Sequence, residues 1–297
     1  MAAQIRVLRR RIRSVSSTKK ITRAMELIAA SRIVKAQQRV ADSRPYADEI
    51  TRVVTAMASS SELDSPLTTE RENPTRAALL VITSDRGLAG AYSSSALKTA
   101  EELIARLREE GMETDVYAIG RKAVGYFNFR GRPPVASYTG FSEQPSYADA
   151  KNTADTLIAN FIAEPGEDGA VDEIHLVYTE FVSALTQAPR AVRVLPLVIE
   201  ESDEERPENL PSFEFEPGAD AVLEPLLPRY VEARLYAALL QSAASESASR
   251  RRAMKAATDN ADDLIKSLTR QMNSARQAEI TQEISEIVGG ADALANA

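Results

Sequence analysis

Three residue types that carry much of protein chemistry are absent or scarce in this chain. Its 297 residues contain no Cys, no Trp and a single His, which is His175. Without Cys the chain can form no disulfide and no thiolate zinc site, and it has no thiol nucleophile. One His cannot build a multi-histidine metal centre, and a Ser-His-Asp triad would have to use His175 alone. We therefore expect no metal, no cofactor and no catalytic residue.

Long apolar runs are also missing. No stretch of about 18 apolar residues occurs, so we expect no membrane-spanning segment. The first residues, Met1–Arg6, lack the apolar stretch of a signal peptide, and none is expected. The absence of Cys is compatible with the cytoplasm. At 297 residues, one large domain or two modest ones could each bury a core.

The charge of the chain is unevenly distributed, although the overall balance is only −7. Residues 1–40 carry eleven Lys and Arg side chains against one acidic residue, Glu26, whereas residues 246–287 are balanced. The middle of the chain, 41–245, therefore carries a net charge of −16. A basic arm joined to an acidic body suggests an acidic partner for the arm.

Helical periodicity marks the first region, residues 1–60, which contains no Gly and a single Pro, Pro45. Its apolar residues recur in steps of three and four, slip near Lys19 and then resume. They are Ile5, Leu8, Ile12 and Val15, followed by Ile21, Met25 and Ile28. This spacing is typical of a coiled coil with a phase shift. We expect one long helix, kinked at Pro45 because the ring removes a hydrogen bond.

A second long helix is expected in the last region, residues 217–297. From Arg229 to Val288 the sequence contains neither Gly nor Pro, and Gly289–Gly290 then provide a stop signal. Pro225 and Pro228 fit only near the start of such a helix. Its apolar stripe comprises Leu223, Leu226, Tyr230, Leu235, Leu239, Met254, Ala261, Leu264, Ile265, Leu268 and Met272. This stripe needs a partner, and pairing with residues 1–60 predicts an antiparallel coiled coil.

Between the two helical regions, residues 75–200 alternate between strand and helix patterns. Predicted strands are Ala77–Thr83, Thr114–Ile119, Val171–Phe181 and Ala191–Ile199, and predicted helices are Ser94–Glu110, Arg121–Phe129 and Ser146–Ala163. Such alternation indicates an α/β domain with a mostly parallel sheet, inserted between the long helices. Residues 201–216 begin with an acidic run and are interpreted as a linker.

Two features have both a chemical and a structural interpretation. Gly87 and Gly90 follow the first strand, as in a phosphate-binding loop, but no Gly-x-x-x-x-Gly-Lys-Ser/Thr motif occurs. A tight turn between strand and helix is favoured over nucleotide binding. His175 lies within a predicted strand, where a packed histidine is favoured over a catalytic base. Composition and spacing thus indicate a binding or structural protein.

The basic cluster Arg9–Arg11 could bind nucleic acid, but no aromatic residue is interleaved with it and the rest of the chain is acidic. We expect no nucleic acid partner.

Three segments of the chain resemble the γ subunits of F-type ATP synthases. They lie at the start, in the middle and at the end of the chain, so the resemblance covers essentially all of it. The segments are Arg10–Val15 with Thr18–Arg32, then Ser84–Gly90, and finally Met254–Ala261 with Asn273–Ile287.

The resemblance implies the central-stalk rotor of a bacterial ATP synthase. In such a complex the proton-driven c-ring turns the γ subunit inside a hexamer of α and β subunits, which couples proton flow to ATP synthesis. The implied fold is α/β plus coiled coil, with two long terminal helices and an inserted Rossmann-like domain. The implied partners are the α, β and ε subunits and the c-ring, with one copy of the chain per complex. The implied location is the cytoplasmic face of the cell membrane, with membrane contact only through Fo.

The resemblance also implies roles for individual residues. Contacts with the α/β hexamer fall on Lys20, Arg23, Met25, Arg276, Gln277, Thr281 and Glu283. Contacts of the foot segment with the c-ring and ε fall on Phe213 and Glu216, although the family often has Tyr where Phe213 stands. Asp85, Gly87 and Gly90 form a structural turn. The acidic stretch Pro165–Gly169 looks longer than the usual family connection, and both inert surface and contact with α or the c-ring remain open.

Two other classes of protein stay open at this point. A free-standing coiled-coil scaffold explains the helices, and a nucleotide-binding α/β enzyme explains Gly87 and Gly90. Co-purification with α, β, ε and c subunits would discriminate a γ subunit from both.

Overall fold

The computed structural model describes residues 2–58, 67–68, 70–164, 166–197 and 219–295. The described residues form five helices and five strands and divide into two compact units. The paired-helix unit comprises Met1–Ala29 and Arg251–Ala297, and the α/β unit comprises Ala30–Arg250. None of the helices in the described part of the chain combines the length and the hydrophobicity that a membrane span requires. All of the predicted linker 201–216, including Phe213 and Glu216, lies outside the described residues, and the predicted bounds of the four domains stay a prediction.

The two long terminal helices are confirmed. Helix α1 spans Ala2–Ala58 and continues through Pro45. Helix α5 spans Ala219–Ala295 and contains Pro225 and Pro228 near its beginning, as predicted.

The predicted stop at Gly289–Gly290 is wrong, because α5 runs through both glycines. Each Gly lowers helix stability by about 1 kcal/mol relative to Ala, which weakens a helix without ending it.

In the paired-helix unit α1 and α5 run antiparallel, as predicted. Lys19 Nζ lies 2.6 Å from Asp262 Oδ1, and the hydroxyls of Thr22 and Thr258 lie 2.8 Å apart. The contact therefore advances by three residues on α1 as it retreats by four on α5.

A five-stranded sheet forms the centre of the α/β unit, with strand order β3-β2-β1-β4-β5. The strands are β1 (Arg76–Ile82), β2 (Glu113–Ile119), β3 (Ala136–Tyr138), β4 (Glu173–Phe181) and β5 (Gln187–Leu195). Three neighbouring pairs are parallel, and only β4 and β5 are antiparallel. The mostly parallel sheet is thus confirmed. The short edge strand β3 has no counterpart among the predicted strands.

Helices cover both faces of this sheet. They are α2 (Tyr92–Glu109), α3 (Arg121–Phe129) and α4 (Tyr147–Ile162). Alternate β1 residues point to opposite faces, as the two-residue period of a strand requires. On one face Leu79 and Val81 pack in a core with α2 and α3, and on the other Leu80 and Ile82 pack with α4 and the early part of α5.

A buried carboxylate, Asp172, holds the N-terminal ends of β1 and β4 together. It accepts hydrogen bonds from Arg71 Nη1 at 2.7 Å, from the Thr75 backbone amide at 2.6 Å and hydroxyl at 3.1 Å, and from the Arg76 amide at 2.9 Å. Burial by itself would raise the pKa of Asp172, but these bonds outweigh it and lower the pKa below 3.8.

Replacing Asp172 with Asn should lower the free energy of unfolding at neutral pH by about 2–3 kcal/mol, because an amide cannot accept all four bonds. A lowered pKa contributes stability above the ordinary pKa and loses it as pH falls through the lowered value. The difference from wild type should therefore shrink below pH 3.8. Urea unfolding at neutral pH and below pH 3.8 measures the two losses of stability, with Asp168→Asn, at an exposed residue, as the control. Equal losses at neutral and acidic pH would contradict this role for Asp172.

Candidate partner-binding surfaces

Small and polar side chains form the contact between α1 and α5 in the paired-helix unit. The buried residues include Thr22, Glu26 and Ala29 on α1 and Met254, Thr258, Ala261 and Leu268 on α5. The Lys19 hydrogen bond lowers the pKa of Asp262 on the rim of this contact. The predicted apolar stripe at Ile21, Met25 and Ile28 is wrong, since Ile21 and Ile28 are 61% and 54% exposed. Thr258 offers a hydroxyl to its partner helix, which favours Thr22 over Ile21 as the buried neighbour.

The same turns of α1 therefore present basic and apolar groups to solvent. Lys20 and Arg23 are exposed, and Met25 is half-buried. Arg23 Nη1 also donates to Glu26 Oε2 at 2.8 Å. Together with Ile21 and the other exposed apolar residues, these cations form an outward-facing patch on one helix.

All four predicted contact residues near the end of α5 are exposed: Arg276, Gln277, Thr281 and Glu283. The Thr281 hydroxyl donates to the Gln277 carbonyl at 3.0 Å, a bond within the helix. Ile280, Ile284 and Ile287 recur every three to four residues and are 47%, 56% and 71% exposed. That spacing places them on one face of the helix.

The end of α5 extends past the start of α1. If the antiparallel register of Lys19 with Asp262 continues, the beginning of α1 lies opposite roughly residue 279 of α5. The α5 residues from there to Ala295 have no α1 turn beside them among the described residues. We call this segment, residues 280–295, the α5 tip.

In the α/β unit, Asp85 connects the loop after β1 to two other segments. Its carboxylate accepts bonds from the amides of Gly140 at 2.8 Å, Ser142 at 3.1 Å and Arg121 at 3.2 Å. Gly90 in the same loop has φ 58°, a conformation that favours glycine. These contacts agree with the interpretation of the loop as a structural turn.

The predicted turn also occupies the groups that a phosphate would need. At the start of α3, the amides of Arg121, Lys122 and Ala123 donate to Asp85, the Ser84 carbonyl and the Thr83 hydroxyl. A helix N-terminus binds phosphate through free amides, and here a carboxylate already stands beside them. The geometry therefore argues against the nucleotide-binding interpretation of Gly87 and Gly90.

A buried ionic cluster joins four segments of the α/β unit, and no local sequence pattern predicts it. The Arg250 guanidinium lies 2.6 Å from Glu246 Oε1 and 3.0 Å from Glu143 Oε1, and Arg32 of α1 also pairs with Glu143. Arg250 further approaches the carbonyls of Arg86 and Gly87 at 3.4–3.5 Å. We call these side chains the Arg250 cluster.

Burial within the Arg250 cluster raises the pKa of Glu246, and the Arg250 charge only partly offsets this. The second carboxylate oxygen of Glu246 has no hydrogen-bond partner among the described residues. Arg250 is therefore the main group that compensates this buried carboxylate.

His175 is a packed histidine within β4. It is 5% exposed, and its Nε2 lies 2.6 Å from Glu173 Oε2. The His175 hydrogen bond lowers the pKa of Glu173.

These features define a class of protein. Two long terminal helices pair antiparallel, and the doubly wound sheet of the α/β unit lies between them in the sequence. Charged and apolar groups suited to partners face solvent. The ATP synthase family model matches residues 4–294. The chain belongs to the ATP synthase gamma chain family, whose members are non-catalytic subunits of that complex and form its central-stalk rotor.

Individual relatives agree with this assignment. The ATP synthase gamma chain of Frankia casuarinae is 67% identical over 100% of this chain and 99% of its own length. That of Acidothermus cellulolyticus is 65% identical over 99% of this chain and 98% of its own. A chain in the Euglena gracilis mitochondrial ATP synthase structure containing OSCP, F1 and the c-ring shares the fold, with a TM-score of 0.65 at 17% identity. That match covers 99% of this chain and 95% of the other.

Proposed function

We propose that this chain is the rotor through which proton-driven rotation of a c-ring reaches the catalytic hexamer of α and β subunits. One copy would act in each complex, and nucleotide chemistry would stay with α and β. The α5 tip carries the proposal, because it is a helix with an exposed apolar face and, in the part of the chain that the structure describes, it has no α1 turn beside it.

The exposed apolar face of the α5 tip is better suited to contact with a surrounding protein than to exposure to water. An isolated helix exposing Ile280, Ile284 and Ile287 to water gains nothing from them, whereas a surrounding protein sleeve would bury them. Charged residues such as Arg276 and Glu283 are interspersed along the same helix and would limit deep interlocking with the sleeve. Such a contact would permit rotation.

The basic arm supports the second proposed contact, with acidic segments of the β subunits. Residues 1–40 hold eleven Lys and Arg side chains, and Lys20 and Arg23 are exposed beside the half-buried Met25. The positive charge of such a patch attracts acidic surfaces over a distance and helps to orient them. This attraction does not require fixed ion pairs. That property suits a partner that changes at every rotational position.

Attachment to the membrane sector is proposed through the foot segment. Phe213 and Glu216, by resemblance to the family, would contact the c-ring and the ε subunit. The chain would then lie at the cytoplasmic face of the cell membrane and meet the membrane only indirectly, through Fo.

Rotation of a labelled complex tests the proposed function directly. Because the chain has no Cys, Lys98→Cys on the exposed face of α2 creates a single attachment site. The labelled chain would be assembled with α, β and ε subunits, and a bead on residue 98 would be followed after ATP addition. We expect continuous rotation in one direction. Complexes that hydrolyse ATP while the bead stays still would overturn the proposal.

Arg276 offers a residue-level prediction. It makes no ion pair with any described residue, so its guanidinium is available to a partner carboxylate. Arg276→Ala should remove about 1–3 kcal/mol from a contact made in some rotational positions, and helix formation should hardly change. ATP hydrolysis and proton pumping per assembled complex should therefore be altered. Arg270→Ala, at another exposed residue of α5, is the control. Wild-type rates for Arg276→Ala would show that Arg276 makes no contact with a partner subunit that matters for activity.

A further inference from the structure

Three tyrosine rings surround a small cavity where α1, α4 and α5 meet in the α/β unit. The cavity has a volume of about 150 Å³. Tyr46 comes from α1, Tyr147 from the first position of α4 and Tyr236 from α5. The other lining residues are small: Ser43, Ala47, Ala233 and Ala237. We call this space the tyrosine cavity.

Two of the three rings are held in position by their own contacts. The rings of Tyr147 and Tyr236 meet edge to face, with their centroids 5.5 Å apart and their planes at 76°. The Tyr147 hydroxyl donates to Oε2 of the buried Glu232 at 2.6 Å. Burial and this bond raise the pKa of Tyr147 to about 12, so the ring stays neutral at physiological pH. The two rings therefore form a preformed aromatic wall.

A charged ligand has no counter-charge in the tyrosine cavity, although aromatic rings can bind cations. None of the described residues that line the cavity is charged. Glu232, the carboxylate bonded to Tyr147, already accepts from Lys151 Nζ at 3.3 Å and from Arg229 Nη1 at 3.4 Å. Transfer of a charge from water to a site without a partner is costly. The cavity therefore favours an uncharged ligand.

Ser43 gives the cavity a hydrogen-bond acceptor. Its hydroxyl donates to the Val40 carbonyl at 3.0 Å within α1. That bond uses the single hydrogen of the hydroxyl and leaves the oxygen able to accept. The hydroxyl hydrogen of Tyr147 is likewise committed to Glu232. A ligand that donates a hydrogen bond therefore matches this site better than one that only accepts.

The size of the tyrosine cavity matches one aromatic ring. Apolar cavities of about 150 Å³ bind benzene, and edge-to-face contacts with tyrosine rings add to the attraction. Tyr46 is 52% exposed, so the cavity is accessible from solvent. We propose that the tyrosine cavity binds a small uncharged phenol, whose ring packs among the three tyrosines and whose hydroxyl donates to Ser43 Oγ.

A titration of 4-fluorophenol followed by fluorine NMR tests this proposal. The purified full-length chain is used first, and the complex assembled with α, β and ε subunits second. We expect saturable binding in both, with a Kd of about 0.1–1 mM, as is reasonable for so small a ligand. 4-Fluoroanisole, which has the same ring but no hydrogen-bond donor, should bind about three to ten times more weakly.

Substitutions in the lining locate the binding site. Tyr46→Ala removes the exposed wall and should weaken 4-fluorophenol binding about tenfold. Ala237→Leu should abolish binding, because the larger side chain fills the cavity. Ala148→Leu, at an exposed residue of α4 outside the lining, is the matched control and should bind as wild type does. If Ala237→Leu fails to fold, Tyr46→Ala still tests the site.

Ser43→Ala tests the hydrogen bond separately from the ring contacts. It should lower the affinity for 4-fluorophenol to that for 4-fluoroanisole and leave the affinity for 4-fluoroanisole unchanged. No saturable binding, equal affinities for the two ligands, displacement by tetramethylammonium, or binding unaffected by Tyr46→Ala would overturn the proposal. Binding to the purified chain that is lost in the assembled complex would assign the cavity to a side chain of a partner subunit, which also overturns it. None of these results depends on whether the chain rotates.

Discussion

Replacing Arg250 with Met should lower the free energy of unfolding of the α/β unit by about 3–5 kcal/mol, because it leaves buried carboxylates without their cation. Glu246 is fully buried, and the Arg250 side chain is 6% exposed. Met retains most of the arginine's apolar volume, so the loss reports on charge rather than on a cavity. Urea unfolding followed by circular dichroism measures it, with the exposed neighbour Arg251→Met as control, for which we expect a change within about 0.5 kcal/mol.

The pH dependence of this loss distinguishes electrostatics from packing. The pKa of Glu246 is already raised by burial, and removing Arg250 should raise it further. A carboxyl with a raised pKa favours folding below its ordinary pKa and loses that contribution as pH rises through the raised value. The Arg250→Met defect should therefore be smaller near pH 5 than near pH 8. Adding Glu246→Gln should restore most of the stability at pH 8. A defect that is independent of pH and unrelieved by Glu246→Gln would contradict the ionic role of the cluster.

Replacing Gly120 with Ala should cost about 3 kcal/mol or more, since conformational strain and steric overlap act together. Gly120 has φ 91°, and a Cβ atom there would lie 2.3 Å from the carbonyl oxygen of Thr83. That carbonyl cannot easily retreat, because the Thr83 amide and hydroxyl both donate to Ile119. Thermal and urea unfolding of the purified chain measure the loss.

Gly131→Ala provides a matched control for Gly120→Ala. Gly131 has φ 70°, yet nothing lies within 4 Å of the Cβ position. Gly131→Ala should lower the free energy of unfolding only by the cost of the positive φ, about 1–2 kcal/mol. If the two variants lose the same stability, the close approach of Gly120 to Thr83 has no energetic consequence.

Local sequence patterns predicted most of the regular structure. The predicted helix Arg121–Phe129 has the bounds that are observed, and β1 and β2 each lie within one residue of their prediction. The predicted β5 began at Ala191, four residues later than the observed start at Gln187. These first residues are only partly apolar, and their strand conformation depends on antiparallel pairing with β4.

The interactions that join distant segments were not predictable from local patterns. Glu143 lies more than 100 residues from Arg250 in the sequence, and only folding brings its carboxylate within 3.0 Å of the Arg250 guanidinium, beside Glu246. Gly120 follows a strand, as many glycines do. The need for glycine at this position comes from the close approach of the Thr83 carbonyl, just after the neighbouring strand.

Helix and strand periods and family motifs are properties of neighbouring residues. They were therefore enough to predict the two long helices, the mostly parallel α/β fold between them and the resemblance to rotor subunits. The tertiary structure decided which face of α1 is buried. The spacing of apolar residues predicted that Ile21 and Ile28 are buried. In the structure Thr22 pairs with Thr258, and the two isoleucines face solvent. The tertiary structure also decided that Tyr46, Tyr147 and Tyr236 line one cavity. Burial and charge pairing depend on which segments meet in space, and that is settled only when the whole chain packs.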